Sequence, residues 1–171
     1  MDSYSFYKSI YDRELNRRKD LDNSLNIPVT ILTLIVGINS IFLDKNRITQ
    51  FYKTIEIVNI TLVLIGLSSI ISIFFLIKFY NNWFKGFSYR NLAYTQEIRN
   101  FETVLIPEHN SQVQDKDKLT FETELITRLN SVTDNHITLN DQRSLDLYRA
   151  KTFIVLTLIL TGIQLVILTF K

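Results

Sequence analysis

The sequence predicts an all-α integral membrane protein with three transmembrane helices and a helical cytoplasmic segment between the second and third. Two observations carry this. First, apolar residues gather in three charge-free windows, 23–43, 57–77 and 152–170, separated by strongly charged stretches. Each window approaches the roughly 20 residues needed to cross about 30 Å of hydrocarbon at about 1.5 Å per residue. Second, only 4 glycines and 2 prolines occur in 171 residues, which favours helices and short connectors over sheets. One apolar window alone is compatible with a buried helix of a soluble protein; three in so short a chain are not.

The elements follow in order. Residues 1–24 read as a cytoplasmic amphipathic helix, with Tyr4, Tyr7 and Tyr11 on one face and Arg13, Arg17, Arg18 and Lys19 mixed with acids elsewhere. Because these acids cancel the basic charge, packing against the middle segment is expected, with an interfacial membrane helix as the alternative. The same stretch does not read as a signal peptide, since it is polar, aromatic and evenly charged. The first span covers 27–43, with Asn26 as a cap and Pro28 in the first turn. A short extracytoplasmic loop, 44–54, leads to the second span, 55–80. The cytoplasmic insert is 81–151 and the third span 152–170.

Within the insert, a break is expected around 86–94. Ile98, Phe101 and Leu105 then repeat at helical spacing until Pro107 marks a stop. A polar loop is expected over 107–118 and a short helix over 120–132, with Phe121, Leu125 and Leu129 on one face. Thr138 and Asp141 match a capping box. From there a single helix is expected to run into the third span, coupling the insert to the membrane.

Each span carries a stripe of small and hydroxyl residues. In the first it is Thr30, Thr33, Gly37 and Ser40; in the second Thr61, Ser68 and Ser72; in the third Thr157, Thr161 and Gln164. Such stripes let helices approach closely and hydrogen-bond across the contact. They suit either packing within one bundle or the face of an oligomer contact or wet pore. Orientation follows from the basic residues. A cytoplasmic N-terminus, with the stretch from Lys78 to Lys151 on the same side, places 15 of the 19 Lys and Arg inside, leaving the C-terminus extracytoplasmic. Phe51, Tyr52, Tyr80, Trp83 and Phe84 suit the membrane interfaces.

Several chemistries are excluded. There is no cysteine, hence no disulfide, thiolate metal site or cysteine nucleophile. A net charge of +2 gives no reason to expect direct nucleic-acid binding. The two histidines, His109 and His136, stand in no metal-binding spacing and read as exposed loop residues. Arg128 and His136 are eight apart, outside the five to seven of a divergent ribonuclease pairing. No phosphate-binding glycine loop, nucleophile elbow or acid pair is present, so neither an enzyme nor a cofactor or metal is expected. A transporter is disfavoured because no Asp, Glu, Lys, Arg or His lies within the three charge-free windows of the spans.

Two polar clusters remain. One is Tyr89-Arg90-Asn91-Leu92-Ala93-Tyr94 with Glu97-Ile98; the other is Asn135, Asn140, Asp141 and Arg143. Either they pin loops to the long helices, or they form a cytoplasmic surface for a small ligand or partner. In the second case Arg90, Arg99, Arg128 and Arg143 are the groups to meet a phosphate or carboxylate.

In its layout, in the run Y-R-x-L-A-Y-x-x-E-I at 89–98 and in N-D-x-R-S at 140–144, the chain resembles the small multi-span helical effectors of bacterial antiviral defence. These are the SLATT-type membrane effectors and the pore-forming accessory proteins of some RNA-targeting CRISPR loci. The resemblance implies a homo-oligomer of the bacterial inner membrane that forms or gates a pore and disrupts membrane integrity when triggered. It also implies a cytoplasmic defence protein or a small nucleotide signal as partner, besides the lipid bilayer. The alternative is a non-conducting anchor or scaffold that recruits a cytoplasmic partner.

Overall fold

The computed structural model describes residues 2–41 and 57–170. They form α1 (Ser3–Asn23), α2 (Asn26–Ile41), α3 (Ile57–Asn81), α4 (Thr95–Asn100), α5 (Ile106–Gln112) and α6 (Phe121–Thr169). A π-helical turn, Phe101–Leu105, joins α4 to α5, and a 3-10 turn, Asp115–Asp117, precedes α6. No strand occurs among the described residues. Three helical stretches are long and apolar enough to cross a membrane, lying within Ser3–Ile41, Ile57–Asn81 and Asp115–Thr169. The expected loop 44–54 with Phe51 and Tyr52, and the adjoining span residues 42–43 and 55–56, fall outside the described residues.

Three local expectations are corrected. Pro107 does not stop its helix. It occupies the first turn of α5, directly after the π-helical turn, where a missing N–H costs little, and the helix continues to Gln112. The polar connector therefore begins near 113 instead of 107. Thr138 is not a cap either. α6 is unbroken from Phe121, and Thr138 Oγ1 donates to the Asp134 carbonyl at 2.8 Å, the usual way a mid-helix threonine satisfies itself. The cap sits at Thr120, whose Oγ1 accepts from the Thr123 N–H at 3.4 Å. Neither histidine lies in a loop: His109 is exposed on α5, and His136 is fully buried on α6.

The chain divides into two compact units. The first comprises the residues up to Lys19 and Phe87–Asp141; the second comprises Asp20–Gly86 and Gln142–Lys171. In the second unit, Leu32, Ile35, Leu76, Ala150 and Ile154 form one apolar cluster, and Leu21, Phe79 and Leu147 form another. Its outward faces are apolar as well: Leu34, Ile41, Leu67, Ile70, Leu158 and Ile163 are all exposed. Meanwhile Ser68, Ser72, Thr157, Thr161 and Gln164 are buried. Hydroxyls inside and large aliphatics outside invert the pattern of a water-soluble bundle.

Burial along the helices follows spacings of three and four. On α6 the buried positions include Leu129, Thr133, His136, Asn140, Arg143, Leu147, Ala150, Ile154, Thr157, Thr161 and Gln164. That alternation is the 3.5-residue repeat of knobs-into-holes packing, here with many polar side chains at seam positions. On α2 the buried set is Pro28, Leu32, Ile35 and Asn39. On α3 it includes Val58, Thr61, Ile65, Ser68, Ser72, Leu76 and Phe79.

The C-terminal end of α3 is closed by a tight turn. Asn82, Trp83 and Phe84 have φ of 42°, 60° and 66°, followed by Gly86 at 72°. Three consecutive non-glycine residues in the left-handed region are costly, on the order of 1 kcal/mol or more each. The turn is held by Lys85 N–H to the Asn82 carbonyl at 3.3 Å and Gly86 N–H to the Asn81 carbonyl at 3.1 Å. It leaves Trp83 and Phe84 exposed, with Trp83 edge-on to Phe74 at 4.5 Å.

Candidate functional site

The first unit is organised around a buried carboxylate. Glu14 lies on the face of α1 that also carries Tyr7 and Tyr11, and is only 2% exposed. Its oxygens meet Arg13 Nη2 at 3.1 Å, Arg17 Nη1 at 3.5 Å and Asn140 Nδ2 at 3.1 Å. Asn140, fully buried on α6, also donates to the Glu14 carbonyl at 3.0 Å and accepts from the Tyr89 hydroxyl at 2.8 Å. Every polar atom of its amide is thereby engaged, as burial demands. Arg17 reaches Asp141 as well, at 2.7 Å. Partial burial acts to lower the Arg17 guanidinium, but Asp141 and Glu14 together hold it above its ordinary value.

The extended segment before α4 is fastened to α6 by the same chemistry. The Arg90 N–H donates to Asn135 Oδ1 at 2.8 Å, and His136 Nε2 lies 2.8 Å from the Arg90 carbonyl. A carbonyl can only accept, so Nε2 is the donor of this bond, while Nδ1 is buried without a partner among the described residues. The His136 ring sits against Tyr89 and Tyr11, with centroids at 4.9 and 5.8 Å. Arg18 lies over the Tyr89 ring at 4.1 Å.

Beside this clamp is a cleft of about 310 Å³. Its apolar walls are Leu92, Ala93, Ile98, Leu125 and Val132, and its polar groups are Asn91, Ser131 and Arg128. Arg128 stacks over Phe101 at 4.4 Å. The Arg90 guanidinium donates to Ser131 Oγ at 3.1 Å, which sets a second positive group at the cleft edge. Such a volume, with apolar walls and few polar groups, is at the small end of ligand sites.

Of the seven residues expected to form a ligand or partner surface, the first unit thus unites Arg90, Asn135, Asn140 and Asp141 in one hydrogen-bonded group, with Arg128 in the adjoining cleft. Arg99 is exposed on α4 and does not line the cleft. Arg143 belongs to the second unit. There it donates to Asp22 at 2.6 Å and to the Phe79 carbonyl at 3.3 Å, near the pair Lys78–Asp146 at 3.1 Å.

In the second unit the hydroxyl stripes of α3 and α6 face one another. Thr157 Oγ1 donates to Ser68 Oγ at 2.8 Å, Ser68 Oγ to the Phe153 carbonyl at 3.0 Å, and Ser72 Oγ to the Ala150 carbonyl at 3.2 Å. Thr61 donates to the Gln164 side-chain oxygen. Asn39 of α2, absent from the expected stripe, completes the spine by donating to Thr161 Oγ1 at 2.9 Å. The stripe expected on the first span behaves differently. Thr30, Thr33, Gly37 and Ser40 are all exposed, and beyond the adjoining turns of α2 itself no described atom lies within 4 Å of where a Gly37 Cβ would stand. Their hydroxyls bond backwards to the carbonyls of Asn26, Val29 and Gly37. Among the described residues they are not a packing face.

Sequence reasoning missed Glu14, Asn39 and the buried state of His136. The available signal was the seam: each lies three or four residues from apolar positions that are themselves so spaced.

Among the described residues no group of acidic, histidine or cysteine side chains is placed to hold a metal. Fold and site together define a helical protein with three candidate membrane-spanning helices and a polar helical unit that contains a small cleft. Compared with protein families, curated proteins and solved structures, the chain matches none.

Proposed function

We propose that this protein is a multi-pass membrane effector, with a cytoplasmic N-terminus, that assembles with copies of itself and permeabilises the bacterial inner membrane in antiviral defence. The observation that carries the reading is the division of labour among the hydroxyl stripes. Those of the second and third spans hydrogen-bond each other inside one protomer. Among the described residues the stripe of the first span has no partner helix and is exposed, where a second copy or a wet lumen would meet it. Exposed aliphatics over the rest of the spans support insertion into lipid, and the three charge-free windows within the spans support a path lined by hydroxyls.

The test is expression in cells loaded with a potential-sensitive dye, comparing wild type with T30V/T33V/S40A. Loss of depolarisation in the variant, with membrane insertion retained, is the expected result. A wild type that never depolarises and stays monomeric in detergent would remove the proposal.

A second reading is favoured by the same spine. Three spans zipped internally by hydrogen bonds also suit a non-conducting anchor that holds a cytoplasmic partner. It predicts that the triple variant is indistinguishable from wild type and that a protein co-purifies through the 81–151 insert.

A further inference from the structure

The geometry points to the cleft of the first unit as a binding site for a small amphipathic anion: an apolar body, aryl or short acyl, carrying one carboxylate or phosphate. Three observations converge on that class. The body of the ligand is set by the walls, because Leu92, Ile98, Leu125 and Val132 offer nothing to hydrogen-bond. The charge is set by the two guanidiniums. Arg128 lines the cleft and Arg90 is bonded to its Ser131, and neither has a carboxylate partner among the described residues, whereas Arg13, Arg17, Arg143 and Arg149 each have one. No acidic residue lines the cleft to repel an anion or to attract a cation.

The third observation is preorganisation. Arg90 is gripped at both backbone polar atoms by Asn135 and His136 and at its side chain by Ser131, all from α6. Arg128 lies over the Phe101 ring, its Cζ 4.4 Å from the centroid. Two long side chains fixed in advance lose less freedom on binding than two solvated ones, which favours recognition of an incoming charge. A guanidinium pair also suits the planar, two-oxygen face of a carboxylate or phosphate.

This inference deepens the effector reading by naming the class of trigger. Binding is therefore measured apart from depolarisation, so that a silent membrane and an empty cleft are distinguishable. The full chain in phosphatidylcholine nanodiscs is titrated with phenylacetate, phenyl phosphate, benzyl alcohol and benzylamine, with saturation-transfer NMR as readout. The two anions are expected to bind and the alcohol to bind at least tenfold more weakly, while the amine gives no specific signal. Arg128→Gln, at an exposed position, is expected to weaken the anions at least tenfold with the helical circular dichroism unchanged. Leu125→Trp, which fills the cleft, is expected to abolish binding.

Repeating the titration with phosphatidylglycerol in the discs identifies the source of the anion. Competition by this lipid supports the site and assigns it to an anionic headgroup; no competition supports it as a site for a free acid. Equal binding of benzylamine and phenylacetate, anion binding unaffected by Arg128→Gln, or no binding of either anion to wild type at millimolar concentration would each overturn the inference.

Discussion

Asn140 shows what one buried amide can do. It binds Glu14 with its nitrogen and Tyr89 with its oxygen, so α1 and the segment before α4 are both fastened to α6 through a single side chain. Replacing it by alanine leaves Glu14 short of a donor and the Tyr89 hydroxyl short of this acceptor in a dehydrated setting. The expected cost is about 2–3 kcal/mol, read as a fall in unfolding midpoint. Its neighbour is a contrast. Asp141 pairs with Arg17 across a largely solvated contact, its side chain 62% exposed, so Asp141→Asn is expected to cost less than about 1 kcal/mol in the same measurement. The raised Arg17 guanidinium adds no pH dependence near neutrality. A cation stabilised in the fold contributes fully below its unfolded pKa and is lost only as pH rises through the folded value, here in strongly alkaline solution. A cluster that looks uniformly polar in sequence thus contains one structural keystone and one dispensable charge.

At the scale of the element, the first span illustrates how two stripes compete for the same role. Thr30, Thr33, Gly37 and Ser40 have the spacing of a packing face, but so do Pro28, Leu32, Ile35 and Asn39, about 200° away round the helix. The second set is buried. A threonine can satisfy itself on the carbonyl four residues back, as Thr30 and Thr33 do, and so requires no neighbour. Gly37→Ala is therefore expected to leave the isolated chain as stable or more stable, by about 0.5–1 kcal/mol from helix propensity, in detergent unfolding. Should the exposed stripe be an oligomer contact, Gly37→Leu will shift the cross-linking pattern from oligomer to monomer without unfolding α2. The turn after α3 permits a sharper measurement. Trp83 is the only tryptophan, exposed beside Phe84 at the end of an apolar helix. In liposomes its fluorescence should be quenched more strongly by lipids brominated near the headgroup than by those brominated near the acyl terminus, as expected of an interfacial aromatic. The reverse order would place this end of α3 at the wrong depth.

The whole molecule shares one helix between its two units. α6 supplies Arg128 and Ser131 to the cleft and Thr157, Thr161 and Gln164 to the spine. If the protein is an effector, mutations at the two ends of α6 should separate functionally. Arg128→Gln is expected to abolish the response to an anionic trigger without lowering unfolding stability. Ser68→Ala with Thr157→Val is expected to lower unfolding stability by about 1 kcal/mol, since hydrogen bonds between apolar helices are individually modest. Dye-based depolarisation and detergent unfolding, run in parallel on both variants, distinguish the two effects.

Composition and spacing alone determine that the chain is helical and that three segments are long and apolar enough to span a membrane. These are properties of local sequence: about twenty charge-free residues either occur together or do not, and scarce glycine and proline allow few breaks. The cap at Thr120, the tolerance of Pro107 and the continuity of α6 lie at the edge of what can be read, because they depend on how one turn resolves its own hydrogen bonds. Tertiary structure alone decided which of two equally spaced stripes on the first span turns inward. It also decided that His136, Asn140 and Glu14 are buried, and that Arg90 and Arg128 gather at one cleft while Arg99 and Arg143 do not. A polar side chain can occupy a seam position whenever a partner from a distant part of the chain satisfies it, as Asn39 does with Thr161 across 122 residues. Periodicity identifies the seam positions, but only the partner settles which polar residues can be buried there.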